Sequence, residues 1–268
     1  RGYGMALAFL LLAFYEFVRV ADDIADHAQL PPAEKLARLD RMEASLLGTS
    51  DAEPEGVRLR DVLRARGLSP IHAQHLLRAF RQDVTKLRYD NWDDLIEYCR
   101  YSAMPVGRYV LDVHGESQST WVANDALCAA LQIINHLQDC AKDFRDLDRV
   151  YVPLDALAAN GLTVEALAAP RATLALMRCI RDLARRTGTL LEQSRPFALQ
   201  IRDRRLAMEV AAIQSLAERL VGVLQTHDPL SERVHLSKPQ MLLTGLSGAL
   251  GAMSRRLFSR APSSAFAR

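Results

Sequence analysis

Apolar residues recur at spacings of three and four along almost the whole chain, which is the pattern of helices that bury one face. No run of alternating β-branched residues predicts a strand. Nothing in the composition divides the 268 residues into parts. The sequence therefore predicts an all-α protein whose helices form a single domain over residues 1–268.

Prolines and glycines set most of the predicted helix limits. Pro31 and Pro32 open the second helix, and Gly115 ends a long helix that Pro105 interrupts by freeing the carbonyl of Tyr101. A short helix follows Thr163. The longer predicted helices span residues 6–27, 31–47, 57–66, 70–88, 92–114, 124–147, 171–194, 196–226 and 239–260.

The helix predicted over residues 124–147 is apolar on nearly every side except for one polar stripe. Gln132, Asn135, Asp139 and Asp143 fall within about 80° of one another at 100° per residue. A helix of this kind is normally buried, so its stripe must face an internal cavity or another polar stripe. The alternative is that the stripe is the solvated face of an amphipathic helix.

A second stripe lies near the N-terminus, where Tyr15, Arg19, Asp22 and Asp26 fall within about 60° on one helix face. Asp23 points away from it. Two largely apolar helices can bring such stripes together inside a bundle. Facing carboxylates repel, and oxygen ligands without His or Cys favour Mg²⁺, whose shell is commonly completed by substrate phosphates. The pattern predicts a phosphorylated substrate.

Charge and cysteine content exclude several classes of protein. A net charge of +2 without a basic, aromatic-interleaved stripe argues against a nucleic-acid partner. The four cysteines form no CxxC pair, which is typical of reduced residues in a cytoplasmic protein. The apolar stretch at residues 5–18 has no cleavage site and is too short to span a bilayer, so we expect a core helix.

Three motifs carry a resemblance to a known family. They are DDIAD at 22–26, YCRYSAMPVG at 98–107, and NHLQDCAKD at 135–143 followed by DRVYVP. In this order and spacing they resemble the squalene and phytoene synthase family, clearly over residues 14–153 and more weakly to residue 238. Within the family, the sequences of these motifs are most similar to those of the bacterial members of the hopanoid pathway that form hydroxysqualene.

The resemblance implies an isoprenoid-synthase-type helical bundle with a central cavity. It also implies Mg²⁺-dependent conversion of presqualene diphosphate to hydroxysqualene and diphosphate, a carbon–oxygen lyase reaction. A prenyltransferase that condenses two molecules of farnesyl diphosphate is the same-fold alternative. The family also has catalytically inactive members that act as assembly factors, although retention of mutually repelling carboxylates argues against that role here.

The resemblance also assigns candidate site residues. Asp22, Asp26, Asn135, Asp139 and Asp143 are the implied metal ligands, and Tyr98 acts in catalysis with Asp22 and Asp139. The implied substrate-binding residues are Tyr15, Arg19, Tyr101, Gln132, Arg149 and Tyr151. Alternative interpretations stay open for four of these residues. Arg149 is also compatible with a solvated turn residue, and Tyr15, Tyr101 and Tyr151 are also compatible with core residues. Asp83 and His136 are candidate cavity-wall residues, and His136 is equally compatible with a satisfied core histidine.

The two ends of the chain carry further expectations. The Ser-Phe element that contacts diphosphate in related enzymes is not recognisable before the first helix, which suggests a truncated N-terminus. The last helix either packs into the bundle or touches anionic lipid through Arg255, Arg256 and Arg260 of a basic tail at 254–268. We expect a cytoplasmic protein, peripheral at the inner membrane face, working beside a presqualene diphosphate synthase and a hydroxysqualene reductase.

Overall fold

A computed structural model describes residues 2–236 and 238–259, with side chains from 6 to 236, 238 to 249 and at 251. That part of the chain has no strand, and an isolated bridge between Arg88 and Val150 is its one extended pairing. The all-α prediction is confirmed. The helices are α1 (Gly2–Asp26), α2 (Pro32–Leu47), α3 (Pro54–Arg66), α4 (Ile71–Thr85), α5 (Trp92–Ser102), α6 (Met104–Val113), α7 (Trp121–Gln138), α8 (Cys140–Leu147), α9 (Leu154–Ala159), α10 (Leu174–Ser194), α11 (Phe197–Gln200), α12 (Arg204–Leu224) and α13 (Lys238–Ser259).

Two predicted helices are broken in the structure. The 92–114 helix breaks at Ala103, two residues before Pro105, because the proline ring cannot follow a continuous turn and fits only in the first turn of α6. The 124–147 helix breaks at Asp139, which has φ −101° and ψ 8°. Aspartate is a weak helix former, and the carboxylate of Asp143 four residues on repels it. The prediction of one continuous helix over residues 124–147 was therefore wrong.

A further break separates α11 from α12, where the sequence predicted one helix from 196 to 226. Asp203 caps α12 by accepting hydrogen bonds from the backbone N–H groups of Arg205 and Leu206, at 2.8 and 3.1 Å. Gly115 has φ +66° and closes the end of α6 as predicted, since its N–H donates to the carbonyl of Asp112.

The helices enclose two hydrophobic clusters. Phe17, Leu39 and Leu77 are fully buried in the cluster formed mainly by α1 to α4. The larger cluster surrounds α7 and extends through α5, α10 and α12. Tyr109 of α6 joins α1 to the rest, because its ring stacks on Phe14 at 3.8 Å and its hydroxyl donates to the carbonyl of Leu10 at 2.8 Å. This contact fixes α1, and with it the first acidic stripe.

The last helix, α13, packs along α12, as in the first of the two interpretations of its sequence. At Gly248 a Cβ atom would lie 2.6 Å from the carbonyl oxygen of Ala211, so only glycine allows this close crossing. The opposite face of α13 exposes Leu242, Leu243 and Leu246. The predicted basic residues Arg255, Arg256 and Arg260 lie beyond the side chains that the structure describes.

No helix among the described residues combines the length and apolar character needed to cross a membrane.

Candidate active site

The two acidic stripes open into the same cleft, which has a volume of about 360 Å³. Its floor and walls come from α1, α4, α5, α7, α8 and the turn after α8. The stripe of the 124–147 segment therefore faces a cleft opposite α1. The lining residues are Asp22, Asp26, Phe80, Asp83, Tyr98, Ser102, Gln132, Asn135, His136, Asp139, Asp143, Leu147, Arg149 and Tyr151.

All five residues assigned as metal ligands line this cleft. Asn135 and Asp139 are exposed at its rim, whereas Asp22, Asp26 and Asp143 are half-buried. Among the described residues, no three Asp, Glu, His or Cys side chains approach closely enough to enclose an ion. The five residues nevertheless supply carboxylate and amide oxygens to one cleft, and such hard donors suit Mg²⁺.

The acidic residues of α1 are largely paired with arginines. Arg19 lies 3.3 Å from Asp23 and 4.0 Å from Asp22, and Arg149 lies 2.5 Å from Asp26. Burial, followed by the like charge of Asp26, nevertheless raises the pKa of Asp22. The arginines therefore offset only part of the cost of a charged carboxylate at Asp22.

The acidic residues that follow α7 have fewer partners. No basic side chain in the described ranges forms an ion pair with Asp139, and Asp143 has His136 Nδ1 at 3.8 Å. The break at Asp139 places this residue between two helices, exposed at the rim. A cation between the two stripes would lower the repulsion most strongly on this side.

Arg149 is buried rather than solvated, which removes the interpretation of it as an exposed turn residue. Its guanidinium donates to the side chain of Asp26 at 2.5 Å, to the carbonyl of Ala25 at 3.1 Å and to the carbonyl of Asp83 at 3.0 Å. Asp148, with φ +51°, ends α8 and turns the chain so that Arg149 points back under α1. Arg149 therefore links the first stripe to α4.

Behind Arg149, the carboxylate of Asp83 binds two tyrosines. The hydroxyls of Tyr98 and Tyr151 donate to Asp83 at 2.9 and 2.8 Å. Burial raises the pKa of Asp83 to about 6, and burial likewise raises the pKa of both phenols well above the usual value. The sequence identified Asp83 as a candidate wall residue but not as the acceptor of two tyrosine hydroxyls, although an aspartate on the apolar face of a predicted helix was a usable signal.

His136 completes the aromatic wall of the cleft. Its ring stacks on Tyr151 with centroids 3.5 Å apart and lies 5.9 Å from the ring of Tyr98. Burial lowers the pKa of His136, so the ring is neutral at physiological pH. The wall interpretation of His136 is the one that the structure supports.

Three residues assigned to the substrate do not line the cleft. Tyr15 is 63% exposed and Arg19 is exposed beside Asp23. Tyr15 shares the stripe but lies about 10 Å further along the helix axis than Asp22, beyond the cleft. Tyr101 packs instead between His75 and Arg78 of α4.

One basic residue beside the cleft was missed. Lys35 of α2 donates from Nζ to the carbonyl of Ala25 at 2.8 Å, the same oxygen that accepts from Arg149. Burial, with a further effect of Arg149, lowers the pKa of Lys35. Nothing in the α2 sequence pattern distinguishes this lysine from a solvated one, because its role depends on how α2 packs against the end of α1.

Comparison with known proteins agrees with this geometry. The squalene/phytoene synthase family model matches residues 10–240. The chain is 55% identical over 253 residues to a hydroxysqualene synthase of Rhodopseudomonas palustris, covering 94% of this chain and 87% of that protein. Hydroxysqualene synthases of Sinorhizobium fredii and Zymomonas mobilis are 55% and 50% identical, covering 94% and 93% of this chain and 86% and 84% of theirs.

Solved structures give the same fold. A squalene synthase from Alicyclobacillus acidocaldarius is similar with a TM-score of 0.66 and 29% identity, covering 96% of this chain and 85% of that one. A dehydrosqualene synthase superposes with a TM-score of 0.77 over 94% of this chain and 92% of its own, and at 22% identity it supports the fold alone. The chain belongs to the squalene/phytoene synthase family.

Proposed function

We propose that this protein converts presqualene diphosphate to hydroxysqualene and diphosphate. The observation that carries the proposal is a single cleft in which two facing acidic stripes adjoin a buried tyrosine cluster. Three relatives that are at least 50% identical over most of the chain are hydroxysqualene synthases. The substrate would come from a presqualene diphosphate synthase, and the product would pass to a hydroxysqualene reductase.

The acidic end of the cleft suits the diphosphate. Asp22, Asp26, Asn135, Asp139 and Asp143 would hold Mg²⁺, which when bound supplies positive charge to neutralise and orient the leaving group. Arg149 orients Asp26 through a charge-assisted hydrogen bond. Because its guanidinium already binds three protein oxygens, we assign Arg149 a positioning role rather than direct contact with diphosphate.

The aromatic end suits the carbocation that forms when the diphosphate leaves. The ring of Tyr98 can stabilise positive charge through its π face, whereas His136 and Tyr89 stack on the ring of Tyr151. Both hydroxyls are held by Asp83, and both phenols remain protonated because burial raises the pKa. The wall therefore stabilises the cation without offering it a strong oxygen nucleophile. Gln132, which also lines the cleft, adds a polar group from α7.

The decisive experiment supplies presqualene diphosphate and Mg²⁺ to the purified chain in ¹⁸O-labelled water. We expect release of diphosphate and formation of the C30 alcohol with the label in its hydroxyl group, unchanged by NADPH. Squalene formed on addition of NADPH, or consumption of farnesyl diphosphate alone, would replace this function with the prenyltransferase alternative. Absence of any diphosphate release would indicate an inactive assembly factor.

We also propose peripheral contact with a membrane through the exposed face of α13. Leu242, Leu243 and Leu246 form an apolar surface that the bundle leaves uncovered, and a C30 apolar substrate is nearly insoluble in water. Flotation with vesicles that contain anionic lipid tests the contact. Changing all three leucines to serine, or deleting the chain from Ser254 onward, should reduce the floated fraction. Unchanged flotation in both variants would show that α13 is not the contact.

A further inference from the structure

Two polar atoms in the candidate cleft lack a hydrogen-bond partner although both are buried. They are Ser102 Oγ and His136 Nε2. In the described side chains, the other buried polar atoms without a partner belong to His72, Tyr89 and Trp121, and none of these lines the cleft. Buried polar atoms are almost always satisfied by protein or by ordered water. Two such atoms on one cleft therefore indicate a small polar ligand.

The contacts of His136 determine what its free nitrogen can bind. Nδ1 faces the carboxylate of Asp143 at 3.8 Å, and this contact favours the tautomer with its proton on Nδ1. Nε2 then presents a lone pair and needs a donor. The stack on Tyr151 fixes the plane of the ring, so the direction of that lone pair is fixed as well.

Ser102 supplies the complementary group. It is the last residue of α5 and lies one turn after Tyr98, so both side chains share one helix face. Its hydroxyl can donate one hydrogen bond and accept others. The ring of Tyr98 in turn lies 5.9 Å from that of His136, which places the α5 and α7 walls side by side.

We infer that His136 Nε2 and Ser102 Oγ hold the water that captures the carbocation, an inference that rests on the proposed function. The diphosphate does not suit this position, because a lone pair on Nε2 repels anionic oxygen. The hydrocarbon chains have no hydrogen-bond donors for it. A water can donate to Nε2, pair with the serine hydroxyl and direct an oxygen lone pair at the cation.

The chemical step balances without a further reactant. The diphosphate leaves with the electron pair of its carbon–oxygen bond, and the oxygen of the held water forms the new carbon–oxygen bond. The proton that this oxygen then loses passes to an oxygen of the released diphosphate. Neither His136 nor Ser102 has to change its protonation state. Without the held water, the cation loses a carbon-bound proton to the diphosphate and becomes an oxygen-free C30 hydrocarbon.

Two variants test the assignment by product composition. His136→Phe keeps a ring to stack on Tyr151 but removes the acceptor, and Ser102→Ala removes the hydroxyl. With presqualene diphosphate and Mg²⁺, we expect the alcohol formed per diphosphate released to fall about tenfold, with hydrocarbon replacing it, since each hydrogen bond contributes modestly. Ser102→Thr, which keeps a hydroxyl, should retain the alcohol. Ser119→Ala, exposed and outside the cleft, is the matched serine control.

The outcomes separate this inference from the proposed function. If the unmodified protein forms the alcohol and both variants form as much per diphosphate, the water site is wrong and the function stands. A rise in KM with the same products would mean that these atoms bind substrate, which also overturns the inference. If the unmodified protein forms no alcohol, the proposed function fails.

A crystal structure then tests the water site independently of the reaction. We expect an ordered water within hydrogen-bond distance of both atoms in the unmodified protein and no such water in His136→Phe. Absence of this water from the unmodified protein overturns the inference. Should His136→Phe not fold, Ser102→Ala carries both measurements.

Discussion

The two acidic stripes are alike in sequence and differ in how the protein treats their charge. On α1 the helix continues unbroken to Asp26, and Arg19 and Arg149 pair with the aspartates. On the opposite side the helix breaks at Asp139, which is exposed and has no ion pair with the described basic residues. Arginine side chains thus stabilise the first stripe, whereas the second depends on positive charge from outside the protein.

The aspartates of the two stripes therefore have different roles. Asp26 pairs with the buried Arg149, which also binds the carbonyl of Asp83, so Asp26 contributes to the folded state. Asp139 is exposed at the rim and contributes little to packing. We therefore expect substitutions in the first stripe to affect stability and activity together, and those in the second to affect activity with little loss of stability.

The largest expected effect is that of Asp139→Asn. Loss of one of few hard ligands should lower turnover by at least ~10²-fold, because metal binding and stabilisation of the leaving group weaken together. Thermal stability without metal should stay the same or rise, since repulsion from Asp143 is relieved. Diphosphate release and a thermal melt measure the two quantities. Near-normal turnover at saturating Mg²⁺ would remove Asp139 from the metal site.

Asp26→Asn is the matched variant on the other stripe. Its metal-free melting temperature should fall, because Arg149 loses its charged partner. Equal melting temperatures for the Asp26 and Asp139 variants would show that the two stripes do not differ in their contribution to stability.

The next effect is a pH dependence that passes through Asp83. Its pKa is raised to about 6 in the folded protein from 3.8, so the folded state binds more protons than the unfolded state between these values. Stability should therefore fall as the pH rises from about 4 to about 6, by about 3 kcal/mol at most from this group. Urea unfolding of the unmodified protein and of Asp83→Asn should give curves that differ in this window, with the Asn variant flatter. Parallel curves would mean that Asp83 does not titrate there.

A somewhat smaller change in stability is expected for Arg149→Gln. It leaves the carbonyls of Ala25 and Asp83 with one fewer donor each and Asp26 without its cation. Because Asp26 is partly solvated, we expect a loss of roughly 2 kcal/mol rather than the larger values of fully buried pairs. Arg185→Gln, which breaks an exposed pair with Asp182, is the control and should change stability by less than about 0.5 kcal/mol. Similar losses in both variants would contradict the role of Arg149.

The smallest expected effect is that of Lys35→Met. It removes one of two donors to the carbonyl of Ala25 and leaves Arg149 in place, so the oxygen stays satisfied. We expect a change in unfolding free energy of about 0.5 kcal/mol. A loss as large as that of Arg149→Gln would show that Lys35 shares the support of the first stripe equally.

The sequence predicted the fold class, the two stripes and the cleft residues of both motifs, because helical periodicity places those residues from local spacing alone. It did not predict the break at Asp139, because the spacing of the stripe residues also fits one continuous helix. Nor did it predict the burial of Arg149, which depends on the left-handed backbone of Asp148 and on the position of α1. Tyr15 lies on the stripe but outside the cleft, because the angular position of a residue around a helix does not determine its position along the helix axis.

The link between Arg149 and Asp26 has a consequence for how the chain folds. The two residues are 123 positions apart, and Tyr109 reaches Leu10 over 99 positions. Most helix pairs in each hydrophobic cluster are closer in sequence and can associate before these long loops close. We therefore expect the cleft to form in a late step of refolding. During that step the acidic stripes approach each other, so divalent cations present during refolding should accelerate it.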